Sequence, residues 1–261
     1  LKKINEKIKF IAPSNWSKKG FLSIGIPEDK VYVIPHGVNQ EMFKPVSESE
    51  KKKVRKEYHL SKNNFIFLNL GAMTWNKGID KLLLAFAIIN KKFPHTKLIL
   101  KDQSNLYQLN AHSLIKTVQK KNSIIDKKVL SNILVISKNL SLNNLNLLYA
   151  ASDAYVAPYR AEGFNLPPLE AASSGIPIII TNGGSTDDYY NKSFAIKIKS
   201  ILVKKDNNIF LEPDIESLID AMSLLVEKKF YDFNFNETQN FIKKDFSWPS
   251  IVKKLSLIMD F

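Results

Sequence analysis

The 261-residue chain contains no cysteine, which removes disulfides, thiolate nucleophiles and cysteine-ligated zinc or iron–sulfur sites together. That usage fits a reducing cytosol. No apolar run reaches the ~18–20 residues that a membrane span requires, and no signal peptide is visible. Glycine is scarce, with 9 residues against a usual share of ~7%, so each position carries information. The phosphate-loop pattern GxxxxGK[ST] and the dinucleotide pattern GxGxxG are both missing, as is HExxH. The four histidines, His36, His59, His95 and His112, lie far apart, and no metal site is expected. With 44% hydrophobic and 24% charged residues the chain is neither disordered nor fibrous. It begins at Leu1 rather than Met, so it reads as a piece of a longer polypeptide.

Lys and Arg number 38 against 25 Asp and Glu, a net charge of +13. Such a surplus favours polyanions: phosphorylated small molecules, nucleic acid or an anionic membrane surface. A lysine-rich solvated surface is the plain alternative. The lysines fall in short clusters without the interleaved aromatics that single-strand binding uses, and no nucleic-acid partner is expected.

Residues 8–12 and 30–34 read as short strands, with Ser14 capping a helix over 15–24. Residues 36–63 read as a connector with a small surface helix. From Phe65 the regime changes. Apolar runs at 65–70, 97–100, 132–137, 153–159 and 176–181 lack strict alternation, so both faces of the sheet are covered. Between them fall helices at 79–92, 105–121, 142–151 and 166–174. An edge strand near 194–198 and helices at 214–229, 235–244 and 248–259 complete the chain. The last helix carries an apolar stripe of Ile251, Val252, Leu255, Ile258 and Met259 that must cover something. The expected fold class is α/β, a doubly wound, Rossmann-like parallel sheet with right-handed crossovers.

Ligands of such sheets bind beyond the carboxyl ends of the strands, and Gly71, Gly78, Gly163, Gly183 and Gly184 all follow predicted strands there. In EGFNLPPLE, residues 162–170, Asn165 is a natural helix cap and Pro167 and Pro168 occupy the first turn. The free donors are then the amides of Gly163, Phe164, Asn165 and Leu166, at a helix start worth about half a positive charge. Glu162 and Glu170 flank this anion pocket and would repel phosphate unless they accept hydrogen bonds from sugar or ribose hydroxyls. A solvated loop glutamate and a helix-surface glutamate are the alternative. In GAMTWNKG, residues 71–78, Lys77 ends a strand-to-helix loop and could meet a diphosphate as a point charge, or simply be solvated. TNGGSTDDYY, residues 181–190, offers hydroxyl donors and the acceptors Asp187 and Asp188, or an ordinary glycine-rich turn.

In this order, APSNWSKKGFLSIGIPEDKVYVIPHGVN, GAMTWNKGIDKLLLAF and LYAASDAYVAPYRAEGFNLPPLEAASSGIPIIITNGGSTDD resemble the C-terminal half of retaining glycosyltransferases of the family-4 type, which have the two-domain GT-B architecture. The resemblance implies a nucleotide-diphosphate sugar as donor substrate, with no cofactor and no metal; there is no DxD motif to clamp one. It assigns Glu170 to the ribose, Glu162 to the sugar hydroxyls, Lys77 to the leaving diphosphate, and the amides of Phe164, Asn165 and Leu166 to sugar or diphosphate. Gly71, Gly163 and Gly184 complete the expected donor site. Lys77 and Glu162 are the expected catalytic pair.

The sequence departs from that pattern. Many members carry arginine after the first glycine, where Ala72 stands, and nearby Arg160 is the candidate substitute. Residues 1–40 are expected to be a remnant of the N-terminal domain with the interdomain linker, and 41–63 a connector. Residues 64–245 would then be the nucleotide-sugar domain and 246–261 a helix that crosses back. The glycan, lipid-linked or protein acceptor would bind through the missing domain, so this piece alone is expected to be inactive. A cytoplasmic location, peripheral at the inner membrane face on anionic lipid, is expected. A non-catalytic nucleotide-sugar-binding module is the second reading, and a nucleic-acid-binding protein the third.

Overall fold

The structure, a computed structural model, describes residues 8–104, 109–206, 208–230 and 232–259. Its centre is a six-stranded, all-parallel sheet in the order β5-β4-β3-β6-β7-β8, built from β3 (Phe65–Leu70), β4 (Thr96–Lys101), β5 (Ile133–Ile136), β6 (Ala154–Ala157), β7 (Ile178–Thr181) and β8 (Ala195–Ile198). The order reverses between β3 and β6, which makes their carboxyl ends the switch point where doubly wound sheets bind ligands.

Both sheet faces are buried, as the unbroken apolar runs imply. Phe67, Leu98, Leu100, Val156 and Ile179 point to a core shared with α3 (Ile79–Lys92), α4 (Ala111–Lys121) and α8 (Ile215–Val226). Their neighbours Ile66, Leu68, Leu70, Ile99, Tyr155 and Ile178 point to the opposite core, under α6 (Leu142–Ala151), α7 (Leu166–Ser173) and α9 (Phe235–Asp245). Side chains alternate across a strand, so apolar residues at every position are needed when helices cover both sides.

Most predicted elements fall where the sequence places them. The helix expected over 105–121 begins at Ala111, because Asn110 caps it by accepting from the Ser113 amide; residues 105–108 lie outside the described residues. Two short strands, β1 (Phe10–Ala12) and β2 (Val31–Val33), pair with each other in parallel and not with the main sheet. Together with α1 (Asn15–Ser23) they enclose a small core of Ala12, Ile26 and Val31.

Three local differences have physical causes. The helix in the connector, α2 (Glu48–Glu57), is only partly a surface helix. Its Arg55 is buried, and one guanidinium nitrogen reaches both Asp153 oxygens at 2.8 and 2.7 Å. Asp153 also accepts from the Ile66 amide, so the pair locks α2 to the start of β3. A four-residue helix, α5 (Lys127–Leu130), sits before β5. An antiparallel hairpin, β9 (Ser200–Lys205) with β10 (Asn208–Pro213), follows β8 and was not expected. In α10 (Trp248–Met259), Ile251 is buried and Leu255 and Ile258 are half-buried, whereas Val252 and Met259 stay exposed.

Removing one partner of a buried ion pair leaves the other charge uncompensated. Asp153→Ala should therefore lower stability by about 3–5 kcal/mol, read from urea midpoints. A loss below about 1 kcal/mol would show that the Arg55 pair is no clamp.

Candidate functional site

The loops that leave β3 and β6 are stitched together over the switch point. The amides of Arg160 and Ala161 both donate to the Asn76 carbonyl, and Asn76 Nδ2 returns a bond to the Ala161 carbonyl at 3.1 Å. Gly78 permits this approach. Its φ is +67°, and a Cβ there would lie 1.8 Å from the Pro158 carbonyl oxygen. Any other residue would push the loops apart.

Lys77 folds back over Gly71, which is buried, and a Cβ on Gly71 would meet Lys77 Cε at 3.3 Å. Its Nζ lies 2.6 Å from Glu162 Oε1, and Asn76 Nδ2 approaches the same oxygen at 3.4 Å. Lysine and glutamate are thus in contact, not separated by the gap that a waiting diphosphate site would show. An incoming anion must part them.

Beyond Glu162 the chain enters α7. The expected side-chain cap by Asn165 is not made, for a covalent reason. A cap accepts from the second or third helical amide, and these positions are Pro167 and Pro168, which have none. Asn165 instead takes φ +65°, a conformation asparagine tolerates, and its Nδ2 is buried without a partner. Its carbonyl accepts from the Tyr189 hydroxyl at 2.7 Å. Among the described residues, the amides of Gly163, Phe164, Asn165 and Leu166 donate to no acceptor. Four unpaired donors at a helix start form an anion-receptive edge.

Each predicted residue can now be placed. The Phe164 ring is buried against His36, Tyr189 and Phe246, so its side chain anchors the loop and only its amide is left without a partner. Leu166 is half-buried at the first helical position. Gly163 is exposed, and a Cβ would find no atom closer than 3.6 Å, so packing within the chain does not require glycine. Its carbonyl accepts from the hydroxyls of Ser14 at 2.6 Å and Ser17 at 2.9 Å. Gly184 has an internal reason: a Cβ would meet the Tyr159 hydroxyl at 2.5 Å. Tyr159 itself is pushed up to about 12 by burial.

Glu170, one turn into α7, is half-buried and accepts from the Tyr149 hydroxyl at 2.9 Å. Burial pushes its carboxyl above the usual range, and the Tyr149 hydrogen bond pulls against that shift. Asp187 and Asp188 are engaged within the chain. Asp187 pairs with Lys197 and holds the Gly183 amide, while Asp188 accepts from the backbone and side chain of Asn15 at the start of α1.

Arg160 does not replace the missing arginine. It is buried, and all five N–H groups are used: two meet Asp80, two meet Glu212 and one meets the Trp75 carbonyl. Burial opposes the charge, but both carboxylates hold it well above its ordinary value. Sequence reasoning missed this cluster and the contacts of Ser14, Ser17 and Tyr149. Only Ser14, flagged as a cap, carried any local signal.

Fold and loops together define a Rossmann-like α/β domain whose switch point presents a lysine, two glutamates and a row of free amides. Residues 50–244 match the family described as Glycosyl transferases group 1, and the chain belongs to that family. It is 28% identical over 88% of its length to the UDP-Gal:alpha-D-GlcNAc-diphosphoundecaprenol alpha-1,3-galactosyltransferase of Escherichia coli, of which it covers 53%. It is 26% identical, over 96% of its length, to uncharacterized protein 356 of Sulfolobus islandicus rod-shaped virus 1, of which it covers 68%. Anabaena HepE in complex with UDP and glucose shares the fold with a TM-score of 0.77 at 17% identity, over 97% of this chain and 62% of that one. The chain spans 53% to 68% of the length of these proteins.

A carboxyl whose folded pKa is raised contributes stability fully below its unfolded value of ~4.3, and loses it as pH rises through the folded value. Glu170→Gln should therefore be more stable than wild type at pH 7, with the gap closing below pH ~4. Equal denaturation midpoints at pH 7 would show that burial of Glu170 costs nothing.

Proposed function

We propose that this chain is the donor-binding half of a glycosyl transferase that moves a hexose from a nucleoside-diphosphate sugar to an acceptor hydroxyl. Retention of anomeric configuration, as in the family-4 type, is part of the proposal and is supported by the motif resemblance. The observation that carries it is the convergence at one switch point of four unpaired amides, Gly163 to Leu166, with Lys77, Glu162 and Glu170. HepE, which binds UDP and UDP-glucose, shares the fold, which supports a nucleotide-sugar donor.

On entry the diphosphate takes Lys77 and the free amides, and Glu162 is released to accept from sugar hydroxyls. Glu170 accepts from the ribose. The bond between the anomeric carbon and the phosphate oxygen breaks with its electron pair leaving on the diphosphate, and the acceptor oxygen bonds to the same carbon. The acceptor proton passes to the departing phosphate oxygen or to water. Lys77 and the helix start stabilise the negative charge that develops on the leaving group, which is where preorganised charge lowers a barrier. The reading needs no metal or cofactor.

In this proposal residues 1–40 belong to the end of the first domain and its linker, 41–63 to a connector, 64–245 to the donor domain and 246–261 to a helix covering the interface. The acceptor side lies largely outside this chain, which alone turns over slowly or not at all. The setting proposed is cytoplasmic, at the inner membrane face, where +13 suits anionic lipid. No described helix is long and apolar enough to cross a membrane.

A non-catalytic donor-binding module is the second reading, favoured by Ala72 and by an Arg160 with no donor to spare. Calorimetric titration with UDP-, GDP- and ADP-sugars should find at least one that binds, with affinity at least tenfold weaker in Lys77→Gln and in Glu170→Ala. Absence of binding to all three classes refutes the donor reading. Sugar transfer by the full open reading frame, abolished in Glu170→Ala, separates the enzyme from the inert module.

A further inference from the structure

A cavity of about 610 Å³ between α1 and the β9–β10 hairpin takes no part in the donor site described above. Its size falls within the ~300–1,000 Å³ of small-molecule sites. Trp16, Lys19, Gly20 and Ser23 line it from α1, the spacing of one helix face. Opposite stand Leu202, Lys204, Ile209 and Leu211 of the hairpin. Leu202 is 53% and Ile209 48% exposed, side by side on the hairpin face that lines the cavity, and exposed apolar surface of this kind marks an interaction site. Among the described residues neither the Lys19 nor the Lys204 ammonium meets a carboxylate.

The cavity is built, not incidental. The other face of the hairpin is pinned by Phe210 against Trp75, ring centroids 4.7 Å apart, and by Glu212 on Arg160 at 2.7 Å. Its floor, Asn182 and Gly183, opens the same loop whose Tyr189 bonds the Asn165 carbonyl. Helix α1 bridges the two sites: Ser14 and Ser17 hold the Gly163 carbonyl, while the neighbouring face of the helix walls the cavity.

We propose that this cavity binds a phosphate-bearing amphiphile, its phosphate between Lys19 and Lys204 and its apolar part along Trp16, Leu202, Ile209 and Leu211. Two unpaired cations call for an anion, and exposed leucine and isoleucine beside them call for hydrocarbon. Binding there does not depend on the donor reading.

The test is calorimetry on the chain with dihexanoyl phosphatidate, inorganic phosphate and octyl glucoside. Phosphatidate should bind, at least fivefold more tightly than either of the others, and should persist in excess UDP. Affinity should fall at least fivefold in Lys19→Gln/Lys204→Gln and in Leu202→Asn, all changes at exposed positions. Equal binding of inorganic phosphate or octyl glucoside, displacement by UDP, or indifference to these substitutions would overturn the proposal. Phosphatidate binding in a chain that binds no nucleotide sugar would refute the donor reading alone; nucleotide-sugar binding without phosphatidate binding would refute this one alone.

Discussion

The ion pair between Lys77 and Glu162, 2.6 Å long, closes the mouth of the switch point, and much of the surrounding structure exists to set it there. Gly78 lets the β3 loop lie against Pro158, Asn76 ties that loop to residues 160–161, and Gly71 leaves room for the lysine stem. The pair holds two charges that would otherwise be unpaired at a partly buried site. Two unit charges 4 Å apart near a protein surface interact by about 4 kcal/mol. One carboxylate is therefore a serious competitor for a single phosphate charge, and a weaker one for a diphosphate that also collects four amides. On the proposed reading the closed pair therefore favours polyanionic ligands over simple anions.

Arg160 plays the opposite part. With every N–H committed to Asp80, Glu212 and the Trp75 carbonyl, it is a structural bolt that fastens the β9–β10 hairpin to the loop carrying Lys77. Its guanidinium also lies 4.9 Å from the Trp75 ring centre. A cation so fully satisfied offers nothing to a ligand, yet it fixes the position of the loop that carries Lys77.

The fold was legible because doubly covered strands leave unbroken apolar runs, and because Asn, Asp and Ser caps mark helix starts. The hairpin was not, since SILVKK and NIFLEP are half-exposed and mix lysine with branched residues, although Asp206, with φ +48°, marks the turn between them. At the site, sequence placed Lys77, Glu162 and Glu170 at the right edge of the sheet but could not show the first two touching. The capping rule misled at Asn165 because the two prolines that follow have no amide to give. Arg160 was misread because its partners lie 80 and 52 residues away, beyond any local pattern.

The central claim is that the unpaired amides at the start of α7 receive a diphosphate when the Lys77–Glu162 pair opens. The most direct measurement is a two-dimensional ¹⁵N–¹H spectrum of the chain titrated with UDP. The account predicts that the amides of Gly163, Phe164, Asn165 and Leu166 shift together and more than those elsewhere in the chain. Saturable UDP binding that leaves these four resonances in place would contradict it.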